Sequence, residues 1–216
     1  MTESQAREEI CRVGRSLYQR GYAHATAGNI SVRLDDGFLI TPTDACLGFL
    51  DPATLAKVDN EGRQQGGAPA SKTLALHRRI YAVSRGAGCV IHTHSAHCVA
   101  LSLSDPHGDL LPPITPYFVM KVGHVPVVPY FRPGAPEAAD AVSELIGRYA
   151  AQGTPLRAVM MTRLGPNVWH DTPAQAMAVL EELEETARLW VLARPKPQPL
   201  SPEAIQELRV AFGARW

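Results

Sequence analysis

Net charge is the first thing this 216-residue chain lacks: 21 Lys and Arg balance 21 Asp and Glu. Aromatic side chains are sparse, at 6%, and no basic stripe interleaved with them marks a nucleic-acid surface. No apolar run approaches the ~20 residues of a membrane-spanning helix. Residues 2–9 are charged from the start, so a cytoplasmic protein that engages neither membrane nor nucleic acid is expected. Cysteine is scarce too. Cys11, Cys46, Cys89 and Cys98 form no CxxC pair, which excludes a finger-type zinc site, and Cys89 and Cys98 lie in apolar runs as reduced small hydrophobes. The glycine fingerprint of a dinucleotide-binding βαβ unit is missing as well. What is left is a chain that is 45% hydrophobic, long enough for one sizeable domain, with small molecules or other copies of itself as partners.

The apolar positions Ile10, Val13, Leu17 and Tyr18 recur at helical spacing, so a helix is predicted over 3–20, with Gly21 at its end. Residues 30–34 and 38–40 flank Asp35-Asp36-Gly37, a hairpin signal. A short helical turn opens at Asp51-Pro52, and Gly66-Gly67 with Pro69 marks a loop. A helix over 71–84 feeds an apolar strand ending at His92, and a helix over 95–103 follows. Four prolines make 106–116 an irregular loop. A strand is expected over 125–130, a helix over 135–151 and a buried strand over 158–162, which Gly165-Pro166 turns into residues 167–169. Thr172-Pro173-Ala174-Gln175 supplies a cap, a first-turn proline and a capping-box glutamine for a long helix to Ala193. Residues 195–199 read as a linker to a last helix that Ser201 caps and Gly213 ends. Mixed helix and strand order indicates a layered α/β domain over 1–194, with 195–216 as linker and C-terminal helix.

Within this frame, Gly88-Cys89-Val90-Ile91-His92-Thr93-His94 carries the strongest chemical signal. Side chains at i and i+2 of a strand share a face, so His92 and His94 could place two imidazoles on one divalent metal. A strand end carrying two hydrogen-bonded histidines is the other reading of the same spacing.

Five segments in order, Thr26-Ala27-Gly28-Asn29-Ile30-Ser31, Ile40-Thr41-Pro42-Thr43, Ser71-Lys72, His92-Thr93-His94, and Gly165 ahead of the long helix, resemble the class II aldolase/adducin family over residues 8–192. The resemblance implies a three-layer domain with a largely antiparallel nine-stranded sheet flanked by helices, assembled as a homotetramer with active sites at subunit interfaces. Within the family, residues 114–123, 127–134 and 181–187 look most like the 3-oxo-tetronate 4-phosphate decarboxylases. The activity so implied is loss of CO2 from a phosphorylated four-carbon β-keto acid through an enediolate, leaving dihydroxyacetone phosphate.

The same resemblance assigns roles. Gly28, Asn29, Thr43 and Ser71 match phosphate-binding loops, where backbone N–H groups and hydroxyls converge on an anion. Read without it, Gly28-Asn29 is an ordinary turn and Ser71 a helix cap. His92 and His94 match two of three metal histidines, which implies a divalent cofactor, zinc by expectation. Tyr117 matches a tyrosine that reaches a neighbouring subunit's site and could protonate the enediolate carbon; packed in a subunit interface, it would be structural. Lys72, Lys121 and Arg132 could bind carboxylate or phosphate, or be a solvated surface and a salt bridge.

Two positions depart from the pattern. Thr73 stands where the aldolases carry their acid-base glutamate, which weakens an aldolase reading and suits a decarboxylation, because the departing carboxylate itself supplies the electrons. The third metal histidine should precede Gly165, and the chain has Arg163-Leu164 there. Leucine cannot ligate, although Arg163 could offer a positive charge, and His97, His124, His170 or a neighbouring subunit would be the substitute ligands. Three readings follow: a sugar-acid phosphate decarboxylase, a sugar-phosphate aldolase, and a catalytically silent adducin-like binding module.

Overall fold

Helix caps written into the sequence set the frame. The computed structural model describes residues 1–104 and 106–216. Helix α1 (Glu3–Gln19) opens on a reciprocal capping box between Thr2 and Gln5 and buries Ala6, Ile10, Val13 and Leu17 along one face. Helix α5 (Pro173–Leu192) starts with Thr172 Oγ1 accepting the Gln175 N–H at 3.3 Å. Helix α6 (Pro202–Phe212) is capped by Ser201, which accepts the Ala204 N–H at 3.2 Å, and ends on Gly213 in the left-handed region. The remaining helices are α2 (Leu74–Val83), α3 (Ala96–Ser102) and α4 (Pro136–Ala151).

Eight strands form one sheet: β1 (Asn29–Leu34), β2 (Gly37–Ile40), β3 (Ala56–Asp59), β4 (Gln64–Gly66), β5 (Cys89–His92), β6 (Val127–Val128), β7 (Ala158–Met161) and β8 (Gly165–His170), in the order β4-β3-β2-β1-β5-β8-β7-β6. Every pairing is antiparallel except β6 with β7. The count among the described residues is eight rather than nine. Asp109 meets Pro126 through a single bridge, and Pro126 has no N–H with which to extend a ladder.

Strand alternation distributes the core into two layers on either side of the sheet. Ile30, Ile91, Met160 and Val168 face Ile10 and Leu17 of α1, Cys98 of α3 and Leu180 and Leu183 of α5. Val90, Val159 and Trp169 face Ile80 and Tyr81 of α2 and Val142 and Ile146 of α4. The expected three-layer α/β arrangement is therefore present. The C-terminal segment packs back onto the domain: Trp216 stacks on His124 with ring centres 4.4 Å apart, and Leu200 donates its N–H to the Pro113 carbonyl at 2.8 Å.

Several boundaries moved from their expected places for local reasons. Helix α2 begins at Leu74 rather than Ser71, because the Ser71 hydroxyl accepts the Thr73 N–H at 3.4 Å and holds 71–73 as a loop. Strand β6 keeps only Val127 and Val128 of the expected 125–130, since Pro126 and Pro129 bracket it without backbone donors. A wide π-type turn, Phe118–Val122, stands where no element was expected.

Candidate active site

His92 is the last residue of β5, and cross-strand register places Asn29 of β1 on one side of it and Asn167 of β8 on the other. Directly opposed residues share a face of the sheet, so Asn29, His92 and Asn167 form one row across three strands, on the α2 and α4 side. Ser31, Val90 and Trp169 form the parallel row two residues on. Beneath lies a buried polar stack: the Ser31 hydroxyl is 2.7 Å from His77 Nδ1 and 2.8 Å from the Tyr81 hydroxyl.

The Pro166 carbonyl, 2.9 Å from His92 Nδ1, can only accept, so Nδ1 carries the proton and Nε2 keeps its lone pair. Burial, reinforced by His94, pushes the His92 pKa down to about 4, and burial followed by His24 lowers that of His94. Both rings are thus neutral near pH 7, the form that ligates metals. Their centres are 5.1 Å apart with planes at 65°. Two imidazoles sharing a tetrahedral ion at ~2.0 Å from each nitrogen bring their ring centres to about 5 Å, so the spacing fits co-ligation. Leu164 lines the same cavity with an apolar side chain, and among the described residues no three His, Cys, Asp or Glu converge as a metal site. What stands nearby instead is amide oxygen. Asn29 Oδ1 and Asn167 Oδ1 are buried without a hydrogen-bond partner, as are His77 Nε2 and Trp169 Nε1, and these four are the orphaned buried side-chain atoms among the described residues. All belong to residues on the α2 and α4 side of β1, β5 and β8. Each such group costs about 1–3 kcal/mol unless something pairs with it, and two neutral imidazoles flanked by unpaired amide oxygens are a donor set that fits a divalent cation.

A cavity of about 280 Å³ opens over this row. One wall is the loop before β1, where Gly28 has φ +91° and a Cβ would lie 2.8 Å from the His92 carbonyl oxygen. No L side chain fits so close a main-chain approach, and this lets the loop abut β5. The opposite wall joins two loops by backbone bonds, Thr43 N–H to the Pro69 carbonyl at 2.8 Å and Ser71 N–H to the Thr41 carbonyl at 3.2 Å. The Ser71 and Thr73 hydroxyls, 3.0 Å apart, both line the cavity. Lys72 and Arg132 supply positive charge to the rim; Lys72 Nζ lies 3.7 Å from Asp44 Oδ2, and both of these side chains are largely exposed.

Gly28, Asn29, Thr43, Ser71, Lys72, Thr73, His92, His94 and Arg132, spread over the sequence, therefore meet at one cavity. Two residues stay apart within a single chain. Tyr117 is 58% exposed, with Lys121 Nζ 5.5 Å above its ring, and Lys121 borders a separate pocket beside His170. His170 pairs with Cys89, at the far end of β5 from His92. The substitute ligands are engaged elsewhere: His97 Nδ1 pairs with Glu184 at 2.8 Å and His124 Nδ1 with Asp109 at 2.6 Å. Arg163, in the turn between β7 and β8 with φ +65°, donates its N–H to Ser102 Oγ and is not part of the cavity wall.

Three buried polar residues in or behind the site escaped sequence reasoning. Asn167 is a polar residue at a strand parity shared with His92, legible only once β5 and β8 are paired. His77 is fully buried on α2, with its pKa pushed by burial down to about 3. Glu184, buried on α5, accepts the backbone N–H groups of His97 at 2.9 Å and Cys98 at 3.0 Å, capping α3 and fixing the chain just after His94. Its sequence signal was a carboxylate on the face of α5 shared by Leu180, Leu183 and Ala187.

This geometry agrees with what the chain resembles. The pattern of the class II aldolase and adducin N-terminal domain matches residues 8–191, and the chain belongs to that family. It is 55% identical, over 100% of its own length and 99% of the relative's, to 3-oxo-tetronate 4-phosphate decarboxylase of Cupriavidus necator. The crystal structure of YgbL from Klebsiella pneumoniae superposes with a TM-score of 0.89 at 39% identity, covering 97% of this chain and 100% of that one. An L-fuculose 1-phosphate aldolase shares the fold at a TM-score of 0.86 and 22% identity, over 99% and 98% of the two chains. Enzymes of the family generally use a divalent metal.

Proposed function

We propose that this protein decarboxylates 3-oxo-tetronate 4-phosphate to dihydroxyacetone phosphate and CO2. The observation that carries the proposal is a cavity bordered by Gly28, Asn29, Thr43 and Ser71 together with two neutral histidines, with no carboxylate at position 73, in a chain 55% identical to a decarboxylase of that name. In this reaction the C1–C2 bond breaks and its electron pair forms a C2=C3 double bond. The C3 oxygen takes the negative charge, CO2 leaves, and C2 then accepts a proton. No initial proton abstraction is needed, so Thr73 is no handicap, whereas an aldol cleavage would miss its base.

The cradle of Gly28, Asn29, Thr43 and Ser71 holds the phosphate through N–H groups and hydroxyls. Lys72 and Arg132 orient the two anionic ends of the substrate and raise its local concentration. His92 and His94 would hold a divalent metal, zinc in this reading, which supplies positive charge where the enediolate oxygens develop. Tyr117 of a second copy delivers the proton to C2 in a homotetramer, with Lys121 Nζ 5.5 Å above its ring. That arrangement gives Tyr117 its use, since within one chain it lies away from the cavity. The enzyme works in the cytoplasm, where its four free cysteines stay reduced.

The test is incubation with 3-oxo-tetronate 4-phosphate: stoichiometric CO2 and dihydroxyacetone phosphate are expected, and no turnover across a panel of four-carbon keto-acid phosphates would overturn the assignment. The silent-module reading predicts that null result. It leaves the unpaired amide oxygens of Asn29 and Asn167, which border the cavity, without a purpose.

A further inference from the structure

We propose that Asn167 is the third protein ligand of the divalent-cation site built on His92 and His94, taking the place that Leu164 cannot fill. The inference rests on the metal reading of this site and is independent of which substrate is decarboxylated. Leu164 and Asn167 lie three residues apart on the hairpin formed by β7 and β8, and both border the cavity. Asn167 is only 1% exposed, and its Oδ1 has no hydrogen-bond partner. Two registers hold it: it stands opposite His92 on β5 and opposite Val159 on β7, so its position is set by backbone pairing on both sides. An unpaired amide oxygen in a fixed place beside a neutral imidazole is a ligand waiting for a cation, since a carbonyl oxygen offers two lone pairs and no proton.

The exchange changes the chemistry of the site. An amide oxygen is a harder donor than imidazole, so the set of two nitrogens and one oxygen binds zinc less tightly than three histidines and tolerates harder ions such as manganese. It is also neutral and leaves the full charge of the ion available to oxygens that become negative during reaction. Asn29, on the other side of His92 and next to Gly28, lines the same cavity, and in the proposed function its N–H groups serve the phosphate.

Co2+ titration of the metal-free protein, followed by visible absorption without substrate, tests this. The wild type is compared with Asn167→Val, with His92→Ala, and with the double variant Leu164→His plus Asn167→Val. Asn167→Val should weaken Co2+ binding by at least about tenfold. It should leave the metal-free melting temperature unchanged or higher, because valine suits a strand and removes an orphaned amide. The double variant should regain binding. If Asn167→Val binds Co2+ within about twofold of wild type, or if wild type binds no better than His92→Ala, the proposal is overturned. Should the valine variant fail to fold, the near-isosteric Asn167→Asp is read in its place: tighter Co2+ binding supports the proposal, and unchanged or weaker binding refutes it. Because the readout is a spectrum of the ion, failure here is separable from failure to release CO2.

Discussion

Lowering the pH should unfold this protein through two buried histidines, by an amount that the structure specifies. Burial holds the His77 pKa near 3 and that of His92 near 4, against an ordinary value of 6.5. His77 is fully enclosed, with Nδ1 on the Ser31 hydroxyl and Nε2 unpaired, so a proton added to Nε2 finds no acceptor. Below the ordinary value the unfolded chain takes up protons that the folded chain refuses, so stability is intact above about pH 6.5 and is lost as pH falls toward 4 and 3. At about pH 5 the unfolded state has gained roughly 1.5 units of protonation free energy at each site, or about 2 kcal/mol per histidine at 1.36 kcal/mol per unit. The pair thus removes about 4 kcal/mol, which for a domain of this size lowers the melting temperature by roughly 8–16 °C. Scanning calorimetry of the chelated protein between about pH 7.5 and pH 5 measures it. His77→Leu removes one of the two groups, and its melting temperature should fall with pH about half as steeply. Equal slopes for wild type and His77→Leu would refute the reasoning, because carboxylates and the other histidines are common to both.

Other outcomes follow from single contacts. Gly28→Ala forces a side chain into φ +91° and against the His92 carbonyl, so chemical denaturation should show a loss of about 2–4 kcal/mol, with a raised KM for the phosphorylated substrate. Lys72→Met breaks only an exposed 3.7 Å ion pair and should leave stability within about 1 kcal/mol of wild type, while steady-state kinetics should show KM rising about tenfold. Glu184→Ala uncovers the first N–H groups of α3 and the His97 ring and should cost about 3 kcal/mol in urea unfolding. Tyr117→Phe should lower kcat and leave KM in place, and mixing it with an inactive His92→Ala chain should recover activity in hybrid oligomers if the tyrosine serves a neighbour.

Much of this architecture was legible because it is local. Caps at Ser201 and Thr172, the apolar stripe of α1 and the run into His92 are short-range patterns, and the helices and β5 stand where those patterns put them. Strand β4 gave no signal: Gln64, Gln65 and Gly66 are all exposed at the sheet edge, where no core imposes alternation. The four residues of β3 are too few for a period to be read. The residues assigned to the proposed cradle were picked out through their resemblance to known loops, and their convergence on one cavity is a property of the folded chain. Asn167 was missed because a polar residue amid Pro166, Val168 and Trp169 becomes chemically meaningful only through register, and register is a long-range fact. Tyr117 and Lys121 carry the same lesson in reverse under the proposed assembly, since a motif working across a subunit boundary would look misplaced in one chain.

The row Asn29, His92 and Asn167 joins three strands whose members come from the first, middle and last thirds of the chain. Such contacts close late, because each requires a long loop to be drawn in first. The β1–β5 and β5–β8 seams must both be zipped before the floor of the cavity exists, so no partly folded chain can display it. A small anion or cation that binds there clasps the two halves of the sheet together and, by mass action, weights the ensemble toward the fully assembled form. Cells short of that ligand would carry a protein that opens more often along those two seams and presents more of itself to proteases.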